Sequence, residues 1–100
     1  MSRLPAAAET QTVTVLRAST GRWMTAVDVH ARTSTVAVRT ARAALAQLAR
    51  LGIVECVTLN SSHHYRLTAA AIDEHADYFN RIDQAAAVLT ERASGADTAV

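Results

Sequence analysis

Arg39, Thr40, Arg42, Ala43 and Gln47 recur at spacings that place them on one side of a helix, and Arg50 continues that side toward its end. The set combines guanidinium groups, a hydroxyl and an amide with small side chains that let a backbone come close to a partner. Such a surface suits the major groove of duplex DNA, where arginine addresses guanine through two parallel hydrogen bonds to O6 and N7. Arg39 and Arg42 are the expected base readers. Thr40 and Gln47 would add a base or phosphate contact, and Arg50 would reach a phosphate or the adjacent helix. The alternative for the two arginines is a solvated face of an amphipathic helix.

A second polar group lies downstream. Asn60, Ser61, Ser62 and His63 offer short hydrogen-bonding side chains, with His64 and Arg66 expected to point outward to a nucleic-acid backbone or minor groove while Tyr65 and Leu67 face the core. An ordinary surface loop is the competing reading. Arg22 and Arg32 would either clamp phosphates or simply be exposed. Trp23 is expected in the core, since a duplex offers few unstacked bases for it to meet.

Charge supports the same division of labour. Residues 1–67 hold eight Arg against Glu9, Asp28 and Glu55, a net +5, whereas residues 68–100 set Arg81 and Arg92 against six acids, a net −4. A polyanion would be attracted to the first two-thirds and repelled by the rest, unless this is ordinary scatter of surface charge. The lone Cys56 has no internal partner, so stability is expected from packing in a reducing compartment. No run approaches the roughly 18 to 20 apolar residues of a membrane span, and no basic segment followed by an apolar one opens the chain, which reads as a cytoplasmic protein with no membrane partner. Enzymatic chemistry is not expected: there is no Gly-rich phosphate loop and no recognisable nucleophile and base pair. No cofactor or metal is expected either, because His63 and His64 are adjacent rather than at a chelating helical spacing, and neither His30 nor Cys56 supplies a motif.

The elements that would position these groups follow from periodicity. A helix is expected to start near Pro5 and run to about residue 18, with Val13 and Leu16 inward, although Thr10, Thr12, Val13, Thr14 and Val15 would also allow a strand. Gly21 suits a left-handed terminating conformation. Thr25 and Asp28 form a capping box for a short helix over 26–32, with Ala26, Val29 and His30 inward. Thr33, Ser34 and Thr35 break it, and Val36 plugs the turn. Val38, Ala41, Leu45, Leu48 and Leu51 then form the clearest apolar stripe, ended by Gly52, opposite the arginine-bearing face and Ala46. Residues 53–59 and 64–68 read as two strands of a hairpin. Thr68 caps a final helix over 69–92.

This order, and the stretch WMTAVDVHARTSTVAVRTARAALAQLARLGIVE followed by HHYRLTAAA, resembles the winged helix-turn-helix superfamily of small prokaryotic regulators that includes the MarR, ArsR and PadR families. The turn Thr33-Ser34-Thr35-Val36 departs from the superfamily's usual Thr-Gly-Val by one extra residue and a missing glycine. The resemblance implies a mainly α fold with a small β-hairpin: a flexible start over 1–9, a winged helix-turn-helix over 10–68, a dimerisation helix over 69–92 and a flexible tail over 93–100. It further implies sequence-specific binding of double-stranded DNA by a transcription regulator acting as a repressor. Ile72, His75, Phe79, Ile82, Ala86 and Leu89 are the expected dimer seam, and a homodimer would read a pseudo-palindromic site. The alternatives are a plasmid or phage partition or replication protein that binds DNA, and a winged-helix module for protein contact.

Overall fold

The computed structural model describes residues 4–33 and 35–98. Ser34 of the expected break lies outside them, as do the first three residues of the expected flexible start and the last two of the expected tail. The described chain is mainly helical with one antiparallel hairpin: α1 (Ala7–Ala18), α2 (Ala26–Thr33), α3 (Val38–Arg50), β1 (Glu55–Leu59), β2 (Ser62–Arg66), α4 (Ala69–Glu74) and α5 (Ala76–Thr98).

The threonine-rich first segment is a helix because its hydroxyls are satisfied within it. Thr10 and Thr12 are fully buried, and each donates to the carbonyl four residues back, on Ala6 at 2.9 Å and on Ala8 at 2.8 Å. Thr14 does the same to Thr10. A buried hydroxyl without a partner would cost far more than such back-bonding does. Val13 and Leu16 point into the core as expected.

At the start of α2 the capping box is present in full. The backbone N–H of Thr25 donates to Asp28 Oδ2 at 2.9 Å, and that of Asp28 donates to Thr25 Oγ1 at 3.1 Å. His30, expected inward, is instead exposed. Its ring still has a task, since Nδ1 donates to the Val36 carbonyl at 2.7 Å and so latches α2 to the turn. Val36 itself is buried, and its N–H donates to Thr33 Oγ1.

The stripe of α3 is the centre of the core: Ala41 and Leu45 are 0 % exposed and Leu48 is 1 % exposed. Gly52, at φ +76°, ends the helix in the left-handed region that favours glycine. Its N–H donates to the Ala49 carbonyl and the Ile53 N–H to the Leu48 carbonyl, the two crossed bonds of a Schellman motif. That motif swings the chain away one residue early. Leu51, expected as the last member of the stripe, is therefore 52 % exposed.

The hairpin turn is tighter than expected. Leu59 pairs with Ser62, which leaves only Asn60 and Ser61 in the loop, both at positive φ, the mark of a type I′ turn. Ser62 and His63, expected in the loop, thus belong to β2. A third segment ties the hairpin to the helices: Met24 and Tyr65 exchange both backbone hydrogen bonds at 2.8 Å, and Gly21 N–H donates to the Leu67 carbonyl.

Thr68 caps the next helix by accepting from Ala71 N–H, as expected, but the single helix over 69–92 is two. His75 leaves helical geometry between them. The two parts have different surroundings: α4 buries no residue fully, whereas α5 lays Tyr78, Phe79, Ile82 and Ala85 inward, and its helix continues to Thr98. This corrects the expected dimer seam. Phe79 (3 % exposed) and Ile82 (1 %) are core residues of the same chain, with Phe79 beneath the Arg17 guanidinium, which also bridges to Asp83. Ile72 packs partly on that core, and His75 sits at the break rather than on a seam.

Both tyrosines are shifted. Burial pushes the Tyr78 phenol well above its ordinary range, and its 2.6 Å hydrogen bond to Glu9 adds to the effect, against the opposing charge of Arg81. Burial also raises Tyr65, helped by Cys56 and opposed by Arg42. A phenol with a raised folded-state pKa contributes stability that is fully present below the unfolded value of 10.0 and is lost as the pH climbs past it. Denaturant melts combined with tyrosinate absorbance should show no tyrosine-linked change in stability below pH 10 and a falling stability above it, with Tyr78 ionising only as the protein unfolds.

Candidate nucleic-acid interface

Because Ala41, Leu45 and Leu48 anchor one side of α3, the opposite side must face solvent. Arg39, Thr40, Arg42, Ala43, Gln47 and Arg50 are all exposed there, and Ala46 is half-buried. Within that arc the arginines are not equivalent. At 100° per residue Arg39 and Arg50 lie within about 20° of each other on the helix wheel, along the middle of the face, while Arg42 sits about 60° to one side. That side is the hairpin side, where Arg42 shares a cleft with Ser61, Ser62, His63 and Tyr65. Thr25, Ala26 and Val27 at the start of α2 complete it. Sequence reasoning did not place these three in the site, although the capping box that fixes their position was legible.

Along β2 the alternation is as expected, with Tyr65 and Leu67 buried and His64 and Arg66 on the other side. His63 Nδ1 lies 3.0 Å from Thr58 Oγ1 across the strands. Arg66 is already engaged. Its guanidinium donates to Glu55 Oε1, from Nε at 2.7 Å and also from Nη2, and stacks over the Trp23 ring with 4.4 Å to the centroid. Trp23 was expected in the core, yet it is 38 % exposed. The Met24–Tyr65 bridge explains this: Met24 turns inward at 2 % exposure, and strand alternation sends its neighbour outward beside Arg66.

The remaining arginines are dispersed. Arg22 is exposed beside Trp23, whereas Arg32 lines a different cleft with Gln11, Thr14 and Leu89, between α1, the end of α2 and α5. Among the described residues no group of three His, Cys, Asp or Glu side chains comes together in a way that would hold a metal, and no helix is long and apolar enough to cross a membrane.

No protein-family profile matches the chain, and no curated protein matches it by sequence. Solved structures do match. MepR, a transcription regulator of the Staphylococcus aureus multidrug efflux pump MepA, is 16 % identical with a TM-score of 0.58, over 87 % of this chain and 64 % of that protein. BpsR of Bordetella bronchiseptica, whose DNA binding is regulated by 6-hydroxynicotinic acid, is 20 % identical with a TM-score of 0.54, over 80 % of this chain and 59 % of its own. The chain thus spans less than two thirds of the length of either. The likeness shows the fold: a winged helix-turn-helix, with α2 and α3 as its helix pair and β1–β2 as its wing.

Trp23, the single tryptophan, reports directly on the wing's anchorage. Its emission should be that of a partly water-exposed indole, and Arg66→Ala should change its intensity by removing the stacked cation. The ion pair is a third or more exposed, so solvent screening keeps the loss of stability to about 1 kcal/mol or less. Urea titrations followed by fluorescence and by circular dichroism measure both quantities; an unaltered indole signal in the variant would show that the contact is not formed in solution.

Proposed function

We propose that this chain is a transcription regulator that binds double-stranded DNA, with α3 in the major groove and the β1–β2 hairpin resting beside it. The observation that carries this reading is the division of α3 itself: a stripe locked into the core opposite an exposed face of arginine, hydroxyl, amide and alanine. The likeness of fold to two regulators supports it. Arg39, central on that face and without an ion-pair partner among the described residues, is the leading base reader. Arg50, on the same line, contacts a phosphate.

The protein acts as a homodimer on a pseudo-palindromic site, and as a repressor. With Phe79 and Ile82 inside the core, the surface for the second copy narrows to Ala86, Val88 and Leu89, half-buried on α5, of which Val88 and Leu89 line an apolar cleft with Leu4, Pro5 and Ala7. Charge favours the same division, because four of the six acids of the last third lie in α5, the element that pairs, while α3, the element that reads, carries three arginines and no acid.

Selection from a random duplex pool should return two half-sites about one helical turn apart. Arg39→Ala should then lose about 1–3 kcal/mol of preference at one base pair of each half-site, while random DNA is bound nearly as before. Equal losses on selected and random duplexes would count against base reading. For the dimer, Leu89→Asp should sediment as a folded monomer with weakened DNA binding, and a variant that stays dimeric would move the interface elsewhere.

A further inference from the structure

The cleft on the hairpin side of α3 has a volume of about 210 Å³ and joins three elements that are far apart in sequence. Its donors share one character. Arg42 is its only charged lining residue and has no ion-pair partner among the described residues. Ser61 and Ser62 contribute hydroxyls, and His63 lies among them with Nδ1 engaged by Thr58 and Nε2 left over. Ala26 and Val27 are the first two residues of α2, whose backbone N–H groups have no acceptor within the helix. The one carboxylate nearby in sequence, Asp28, accepts from Thr25 N–H and does not line the cleft.

A pocket lined by a guanidinium, by hydroxyls and by the first turn of a helix, with no carboxylate, selects an oxyanion. Its place selects which one. Arg42 stands about 60° off the line of Arg39 and Arg50, toward the hairpin, so when that line faces base edges this cleft faces the flanking strand. We infer that the cleft seats one backbone phosphodiester of duplex DNA, with Arg42 as the clamping cation. The inference rests on the DNA-binding reading above and changes it in one respect: Arg42 becomes a backbone contact, and base reading falls to Arg39. It also gives the hairpin tip, which carries no arginine of its own, a share in a charged contact. The Tyr65 phenol forms the wall beneath, close enough to feel the Arg42 charge.

Lysine separates the two roles of Arg42, because an ammonium serves a phosphate as a point charge but lacks the planar fork that grips guanine. The test measures duplex affinity against salt for the full chain and its Arg42→Ala, Arg42→Lys and Arg39→Ala variants, on a selected sequence and on a random one. Arg42→Ala should weaken binding about tenfold on both duplexes and lower the salt slope by about 1, and Arg42→Lys should restore most of the affinity without altering sequence preference. A single neutral methylphosphonate linkage at the clamped position should weaken the wild type and leave Arg42→Ala unaffected. Should Arg42→Ala lose affinity on the selected duplex alone, or Arg42→Lys fail like alanine and relax one base position, the phosphate seat is wrong while DNA binding stands. A wild type that binds neither duplex at low salt overturns the DNA-binding reading and the seat together.

Discussion

Everything on the surface of this protein depends on the burial of one narrow stripe. Ala41, Leu45 and Leu48 are held in the core by α1, by α2 and by Ile53 and Val54 of the chain's exit from α3. Burial of each large side chain in such a stripe is worth about 1.5–3 kcal/mol, so rolling α3 about its axis would expose several of them at once. The rotational setting of the helix is therefore fixed, and with it the direction of every polar side chain on the far side. A groove-reading surface needs that fixity, since guanidinium forks recognise base edges only at defined angles.

The parts of the fold that could be read in the sequence are those with a local cause. The Thr25–Asp28 box, the Thr68 cap, the glycine after α3 and the three-and-four spacing of its stripe all depend on residues within a few positions of one another. The parts that could not be read depend on what arrives from elsewhere. Periodicity showed that Phe79 and Ile82 share a face, but it is equally satisfied by a second copy and by α1 of the same chain; the structure puts α1 there. Trp23 looked like a core residue by type, and only the pairing of Met24 with Tyr65 turns it outward. Leu51 fits the stripe by spacing yet falls beyond the last helical turn. The Gly52 signal for that ending was in the sequence; the residue it displaced was not.

The candidate site shows the same split. Sequence placed Arg39, Thr40, Ala43, Gln47 and Arg50 on the exposed face where the structure has them. It could not distinguish Arg39 from Arg42, because spacing along one helix says nothing of which flank a hairpin will occupy. Nor could it foresee that Arg66 would be engaged by Glu55 and Trp23, since that pairing requires the strand register, Glu55 opposite Arg66. Arg32 was separated from the exposed face of α3 for a similar reason: the end of α2 turns it toward α1 and α5.

The self-satisfied threonines of α1 have a wider consequence. Because Thr10 and Thr12 return their hydroxyls to their own helix, the neighbouring core meets little but their methyl groups and is asked for no matching donor or acceptor. From outside, those positions are near-equivalents of valine. The helices packed on α1 are thereby released from any need to co-vary with it in polarity, and shape alone governs which side chains can be exchanged across that contact.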